Sequence, residues 1–271
     1  MAETSPPAAM PRILIVAGSD SGGGAGIQAD IKTVSALGGY AATAITALTV
    51  QDTVGVHDVM LVPPEIVAHQ MAAVLADIGA EAIKIGMLPT SGCIEAVAAA
   101  LADHAVDCPL VLDPVMVASS GDRLMDEAAV TALKALLVPR AHLLTPNVAE
   151  AELLTGLAIT TPDHAARAGK VLQAEGAANV LVTGVVAGAD LLSDVLVTEA
   201  GAEVFQGPRL ATRHTHGTGC TLASAIAVGL ARHAALDAAV AMARDYVLGA
   251  IRHAPGFGHG HGPLNHMWRQ G

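Results

Sequence analysis

The feature that most constrains this 271-residue chain is a set of continuous apolar runs alternating with stretches of helical spacing. The runs are Arg12–Ala17, Ala41–Val50, Ala82–Met87, Leu110–Val115, His142–Pro146 and Val180–Val186. Helical spacing covers Ile27–Leu37, Glu65–Ile78, Ser91–Ala102, Glu127–Leu137, Ala149–Leu154, Pro162–Glu175, Thr218–His233 and Asp237–Arg252. A strand that is apolar throughout, instead of alternating, is covered on both faces. The pattern predicts an α/β fold: a mostly parallel central sheet with helices on both faces. Leu191–Phe205 reads as an edge hairpin turning near Glu199-Ala200-Gly201. No repeat or low-complexity linker intervenes, so a single domain is expected over residues 12–271, after a loose tail over residues 1–11.

Only 14% of residues are charged, which raises the question of a membrane segment. The longest uncharged run, Thr33 to Gln51, carries several threonines, a serine and two glycines and fails as a spanning helix. The net charge of −11, with no basic stripe, argues against nucleic acid as a partner. An anionic ligand would need backbone N–H groups, a metal ion or a few placed side chains. Three cysteines without a CxxC pair suit a reducing cytoplasm. The N-terminal tail has no apolar core of the kind a signal peptide needs.

Ligands of doubly wound sheets collect at the carboxyl ends of the strands. Gly18-Ser19-Asp20, Gln51-Asp52, Gly86, Asp113-Pro114, Thr145-Pro146-Asn147 and Thr183-Gly184 all fall there. Any one could be an ordinary turn; six together point to a site. Further on, His216-Gly217-Thr218-Gly219-Cys220 directly precedes a long alanine-rich helix. Unpartnered N–H groups and the helix dipole make that junction a candidate anion hole with a thiol at its rim. The plainer reading is a glycine loop entering a core helix, with Cys220 as buried filler.

Other candidates stay open on the residues alone. Gly22–Asp30 contains G-x-G-x-x-A, but its loop is long for a dinucleotide turn and no acidic residue closes the next strand at the usual distance. The glycines could instead make room for a small substrate faced by Asp30, or Asp30 could simply offset the helix dipole. Asn147 and Glu150 could cap a helix or hold waters of a Mg²⁺ ion with Asp113. Lys84, inside an apolar strand, needs a partner, and a strand-end carboxylate is expected. His259, His261 and His266 lack the companions of a metal site and read as a coil over the end of the domain. Neither a Walker A motif nor a G-x-S-x-G elbow is present.

Assembled, these motifs resemble the ribokinase-like superfamily, and within it the bacterial hydroxymethylpyrimidine/phosphomethylpyrimidine kinases. The resemblance runs from Pro11 to Trp268 through AGSDSGGGAGIQADIKT, ITALTVQDT, KIGML, VLDPVMVASSGDRL, LLTPNVAEAELL, THGTGCTL and GHGPLNH. It implies ATP-dependent, Mg²⁺-assisted phosphorylation of a hydroxymethylpyrimidine and then of its monophosphate, for thiamine biosynthesis. By the same resemblance Gln51, Gly18, Asp30, Met87 and Val115 hold the pyrimidine. Asp113, Asn147, Glu150, Thr183 and Gly184 hold ATP and the metal, with Asp113 and Glu150 as the metal's carboxylates. Gly217, Thr218, Gly219 and Cys220 form the catalytic anion hole, Cys220 being the expected proton acceptor. Val117–Arg123 matches a closing flap, and a homodimer is expected. One departure is Thr183-Gly184-Val185-Val186, where related sequences often have Lys-Gly-Gly-His. Arg213 or Lys84 would then have to supply the missing charge. The alternatives are a pyridoxal kinase of the same superfamily, or a non-catalytic pyrimidine or nucleotide sensor.

Overall fold

The computed structural model describes residues 10–104, 106–117, 124–186, 188 and 190–270. Nine strands form one sheet: β1 (Arg12–Asp20), β2 (Tyr40–Gln51), β3 (Val56–Leu61), β4 (Ala82–Ile85), β5 (Leu110–Leu112), β6 (Leu143–Leu144), β7 (Val180–Val186), β8 (Leu191–Thr198) and β9 (Gly201–Pro208). Their order is β3-β2-β1-β4-β5-β6-β7-β8-β9. The middle, β2 through β7, is parallel, while β3, β8 and β9 add antiparallel edges. The expected edge hairpin is β8–β9, turning at Glu199-Ala200. The second edge, β3, was not foreseen, because Val56-His57-Asp58-Val59-Met60-Leu61 neither alternates cleanly nor runs apolar. Of the expected N-terminal tail, residues 1–9 lie outside the described residues. The tail's end is already tied down, since Tyr40 N–H donates to the Pro11 carbonyl at 2.8 Å.

Alternate strand residues serve two cores. Leu14, Val16, Ile83, Ile85, Leu112 and Leu144 pack under α2 (Pro64–Asp77), α3 (Ser91–Asp103), α4 (Glu127–Leu136), α5 (Val148–Thr155) and α6 (Pro162–Ala174). Ile13, Ile15, Ala17, Ala82, Val111 and Leu143 face α1 (Gly26–Ala36), α7 (Thr218–Ala231) and α8 (Leu236–Arg252). Two covered faces are what the continuous apolar strands require.

Lys84 projects to the α1/α7 side, where it is completely buried. Its ammonium lies 3.0 Å from Asp30 on α1 and 3.9 Å from Asp113 just past β5. Ser224 on α7 donates to the other Asp30 oxygen at 2.7 Å. The expected strand-end partner is therefore Asp113, but the closer carboxylate is Asp30. Burial works against the lysine's charge, yet the carboxylates of Asp30 and Asp113 more than offset it and hold it protonated. Removing one partner of such a cluster leaves an uncompensated buried charge. Lys84→Met is expected to lower the free energy of unfolding by about 3–5 kcal/mol, read from urea denaturation.

Candidate active site

A cavity of about 650 Å³ opens at the carboxyl ends of the central strands, a size suited to small-molecule ligands. Gly18, Gln51, Met87 and Val115 line it, as do Asp113, Asn147, Glu150, Thr183 and Gly184, and the loop Gly217, Thr218, Gly219, Cys220. Nearly all the site candidates thus converge on one chamber. Asp30 does not: it is wholly buried behind the wall, held by Lys84 and Ser224. Its carboxylate is turned to Lys84 and Ser224 and is not part of the cavity lining. Of the expected flap, residues 118–123 lie outside the described residues; Val117 and Leu124 line the cavity.

At the β1–β2 end, Thr49 Oγ1 lies 3.1 Å from Gln51 Oε1 and orients that amide. The glycine loop beside it cradles no ligand phosphate. Its N–H groups go to Asp20, whose Oδ1 accepts from Gly22 (2.8 Å) and Oδ2 from Gly24 (3.0 Å) and Ala25 (2.8 Å). An internal carboxylate fills the nest, which disposes of the dinucleotide reading. Gly26, with φ of 54°, then folds back so tightly that any side chain would strike the Gly18 carbonyl.

At the opposite wall α7 begins. Gly217 caps it with φ of 84°, seated so closely on the Gly24 carbonyl that no Cβ fits. Thr218 turns inward, its N–H (3.2 Å) and hydroxyl (2.7 Å) both directed to the Thr215 carbonyl. The N–H groups that follow, of Gly219 and Cys220, have no partner within the first turn and carry the positive helix end. Cys220, the expected proton acceptor, lines the cavity at this helix start. Burial pushes it up to about 12; Lys84 pulls the other way but is countered by Asp30 and Asp113. The resting side chain is a neutral thiol.

Between these ends stand two buried carboxylates. Asn147 and Glu150 form the capping box of α5, with Glu150 N–H donating to Asn147 Oδ1 and Asn147 N–H to Glu150 Oε2, both at 3.0 Å. Met116 N–H reaches the other Glu150 oxygen at 3.4 Å. Both readings of this motif therefore meet in one residue, a cap that also lines the cavity. Burial and the Asp113 charge push Glu150 up to about 8. Burial pushes Asp113 to about 6 despite Lys84. Asp113 Oδ2 is buried without a hydrogen-bond partner.

The two cations that could stand in for the lysine are both engaged elsewhere in the fold. Lys84 is consumed by its carboxylates, and Arg213 donates to the His259 (3.1 Å) and Gly258 (3.4 Å) carbonyls. Among the described residues lining the cavity, Arg244 is the one Lys or Arg, and Asp194 pairs with it at 2.7 Å. Arg244 belongs to a wall that the sequence reading missed. There α8 (Val247, Leu248, Ile251) faces the hairpin (Leu192, Phe205) across an apolar slot. Both segments read as ordinary amphipathic elements, and no local motif marks their approach.

The phosphomethylpyrimidine kinase family matches residues 20–265. The chain belongs to that family. It is 48% identical, over 94% of its length, to a bifunctional thiamine-biosynthesis protein of Geobacter sulfurreducens, of which it spans 52%. A hydroxymethylpyrimidine/phosphomethylpyrimidine kinase of Haemophilus influenzae is 44% identical over 94% of this chain and 96% of that one. Among solved structures, the ADP complex of Bacillus subtilis pyridoxal kinase superimposes with a TM-score of 0.88 at 33% identity, covering 97% and 99% of the two chains. Kinases of this family therefore share the architecture as well as the sequence, and the chain is a phosphotransferase.

Behind the Gly217–Cys220 loop, buried His266 meets Thr221 Oγ1 at 3.0 Å. Burial, then the charge of Lys32, lowers His266 to about 4. The unfolded state takes up this proton first, so the stabilisation is complete above the ordinary value near 6.5 and is lost as pH falls toward 4. Between pH 7 and 5, unfolding free energy should drop about 2 kcal/mol more in the wild type than in His266→Gln, measured by urea denaturation.

Proposed function

We propose that the chain transfers the γ-phosphoryl of ATP to the exocyclic hydroxyl of 4-amino-5-hydroxymethyl-2-methylpyrimidine. A second transfer, to the monophosphate, then gives the diphosphate used in thiamine biosynthesis. The observation that carries the reading is one chamber with a side-chain amide, Gln51, at one end and the α7 N-terminus at the other. The amide can both donate to and accept from an aminopyrimidine edge. Gly18, Met87 and Val115 enclose the ring. The slot between α8 and the hairpin takes the adenine, and Asn147, Thr183 and Gly184 lie on the path of the phosphates.

Asp113 and Glu150 suit Mg²⁺, which keeps most of its waters and takes one or two carboxylates beside phosphate. Two buried carboxyls that repel each other, one with an orphaned oxygen, are a donor set that a hard cation relieves. Bound there, Mg²⁺ would neutralise charge on the phosphates. The N–H groups of Gly219 and Cys220 stabilise the transferring group, and the neutral Cys220 thiol orients the attacking hydroxyl. The hydroxyl proton leaves late, to an oxygen of the transferred phosphoryl group and from there to solvent, as a loose transition state allows.

The test is ATP- and Mg²⁺-dependent turnover on hydroxymethylpyrimidine, its monophosphate, pyridoxal and ribose, with products resolved by mass. Diphosphate from the first two supports the reading. Pyridoxal phosphate as main product would move the assignment to vitamin B6 salvage, the second reading that the pyridoxal kinase likeness favours. Binding without turnover would favour a sensor. Cys220→Ala is expected to lower kcat about 100-fold with KM for the pyrimidine little changed.

Among the described residues no helix is long and apolar enough to cross a membrane. We place the kinase in the cytoplasm, as a homodimer without nucleic-acid partners. Support for the dimer is the outer edge of the sheet. There Leu48 pairs with Met60 across β2–β3, and both are exposed, together with Val50 and Leu61. A second copy covering this edge would protect it from indiscriminate pairing. Leu48→Glu/Met60→Glu should run as a monomer in light scattering where the wild type runs as a dimer.

A further inference from the structure

We infer that Asp20 and His216 are positioning residues whose contact locks the glycine loop onto the anion hole, setting the distance between the substrate and the transferring phosphoryl group. This rests on reading Gly217–Cys220 as the phosphate end of the cavity. The two residues lie 196 positions apart, yet His216 Nε2 sits 2.9 Å from Asp20 Oδ2 with both side chains buried. Asp20 is the hub of the glycine loop, accepting the N–H groups of Gly22, Gly24 and Ala25 while its own N–H donates to Gln28 Oε1 at 2.9 Å. His216 immediately precedes Gly217, so its ring fixes the residue that caps α7.

The surrounding contacts leave this junction one arrangement. A Cβ on Gly24 would enter the His216 ring, and a Cβ on Gly217 would enter the Gly24 carbonyl. His216 N–H donates to the Gly262 carbonyl at 3.2 Å, bracing the loop from behind with the carboxyl-terminal coil. One residue earlier, the same coil is held by Thr53, two residues past Gln51: His261 N–H donates to the Thr53 carbonyl at 2.8 Å. Burial works against the Asp20 carboxylate, but the His216 contact, together with the N–H groups of Ala25 and Gly22, holds it below its ordinary range. A displacement of about 1 Å between reacting groups costs on the order of 100-fold in rate, so a joint of this kind acts on turnover more than on binding.

The test compares wild type with Asp20→Asn, His216→Phe, His216→Gln and the Asp20→Asn/His216→Phe pair, with Cys220→Ala alongside. Turnover on hydroxymethylpyrimidine and calorimetric binding of the pyrimidine alone are read together. Asp20→Asn and His216→Phe should each lower kcat about 10- to 100-fold while pyrimidine affinity stays within about threefold. The double variant should lose no more than the worse single, because both remove one contact. His216→Gln, which keeps a donor near the Nε2 position, should recover most of the rate. Wild-type kcat in either single variant, additive losses in the pair, or a Gln variant as impaired as Phe would overturn the inference. Should His216→Phe fail to fold, Asp20→Asn and His216→Gln carry the same criteria. Unimpaired Cys220→Ala would instead withdraw the phosphate-end assignment, independently of the pair.

Discussion

Lys84 is the charge around which this site is built. An ammonium taken out of water costs several kcal/mol even after relaxation, and a lone one in the interior would deprotonate or unfold the chain. Here it is answered by Asp30 from α1 and by Asp113 from the end of β5, with Ser224 of α7 closing the set. The cluster ties two helices to two strands directly beneath the cavity floor. It also leaves Asp113 with one oxygen engaged only at 3.9 Å and therefore open to a further cation. Structural charge compensation and ligand binding are the same electrostatic arrangement seen from two sides.

That arrangement explains how an acidic chain can receive a triphosphate. With a net charge of −11, the protein's long-range field opposes the ligand. The described wall offers one guanidinium, already paired with Asp194. What remains is short-ranged: the positive end of α7, and a pair of carboxyls whose mutual repulsion a metal ion would relieve. The same burial that raises Glu150 and Asp113 keeps Cys220 a thiol. A thiolate would add one more negative charge to a pocket that must collect several.

The parallel centre of the sheet was legible because burial on both faces leaves a one-dimensional mark, the uninterrupted apolar run. β3 left none: at the sheet's edge it is largely exposed, so its residues obey neither pattern. Gly18, Gln51, Asp113, Thr183 and the Gly217–Cys220 loop could be found because strand ends and helix starts are local features. The placement of Asp30 was not legible for the same reason. One helix turn does not reveal which way a carboxylate faces, and Lys84, 54 residues away, decides it. The slot between α8 and the hairpin, and the pairing of Asp20 with His216, depend on packing between distant segments. No spacing within either segment encodes that.

The two glycine motifs show why local chemistry is insufficient for function. In isolation, Gly22–Gly26 has the composition of a phosphate cradle and Gly217–Gly219 that of a helix entry. In the fold the two differ, because Asp20 occupies the first nest and the second is left open to the cavity. Filling one nest with an internal carboxylate makes it rigid, and a rigid first loop can seat the second, as the close approach of Gly217 to the Gly24 carbonyl demands. The open loop is thus shaped by the closed one. A side chain at either glycine would separate the loops before it touched any ligand.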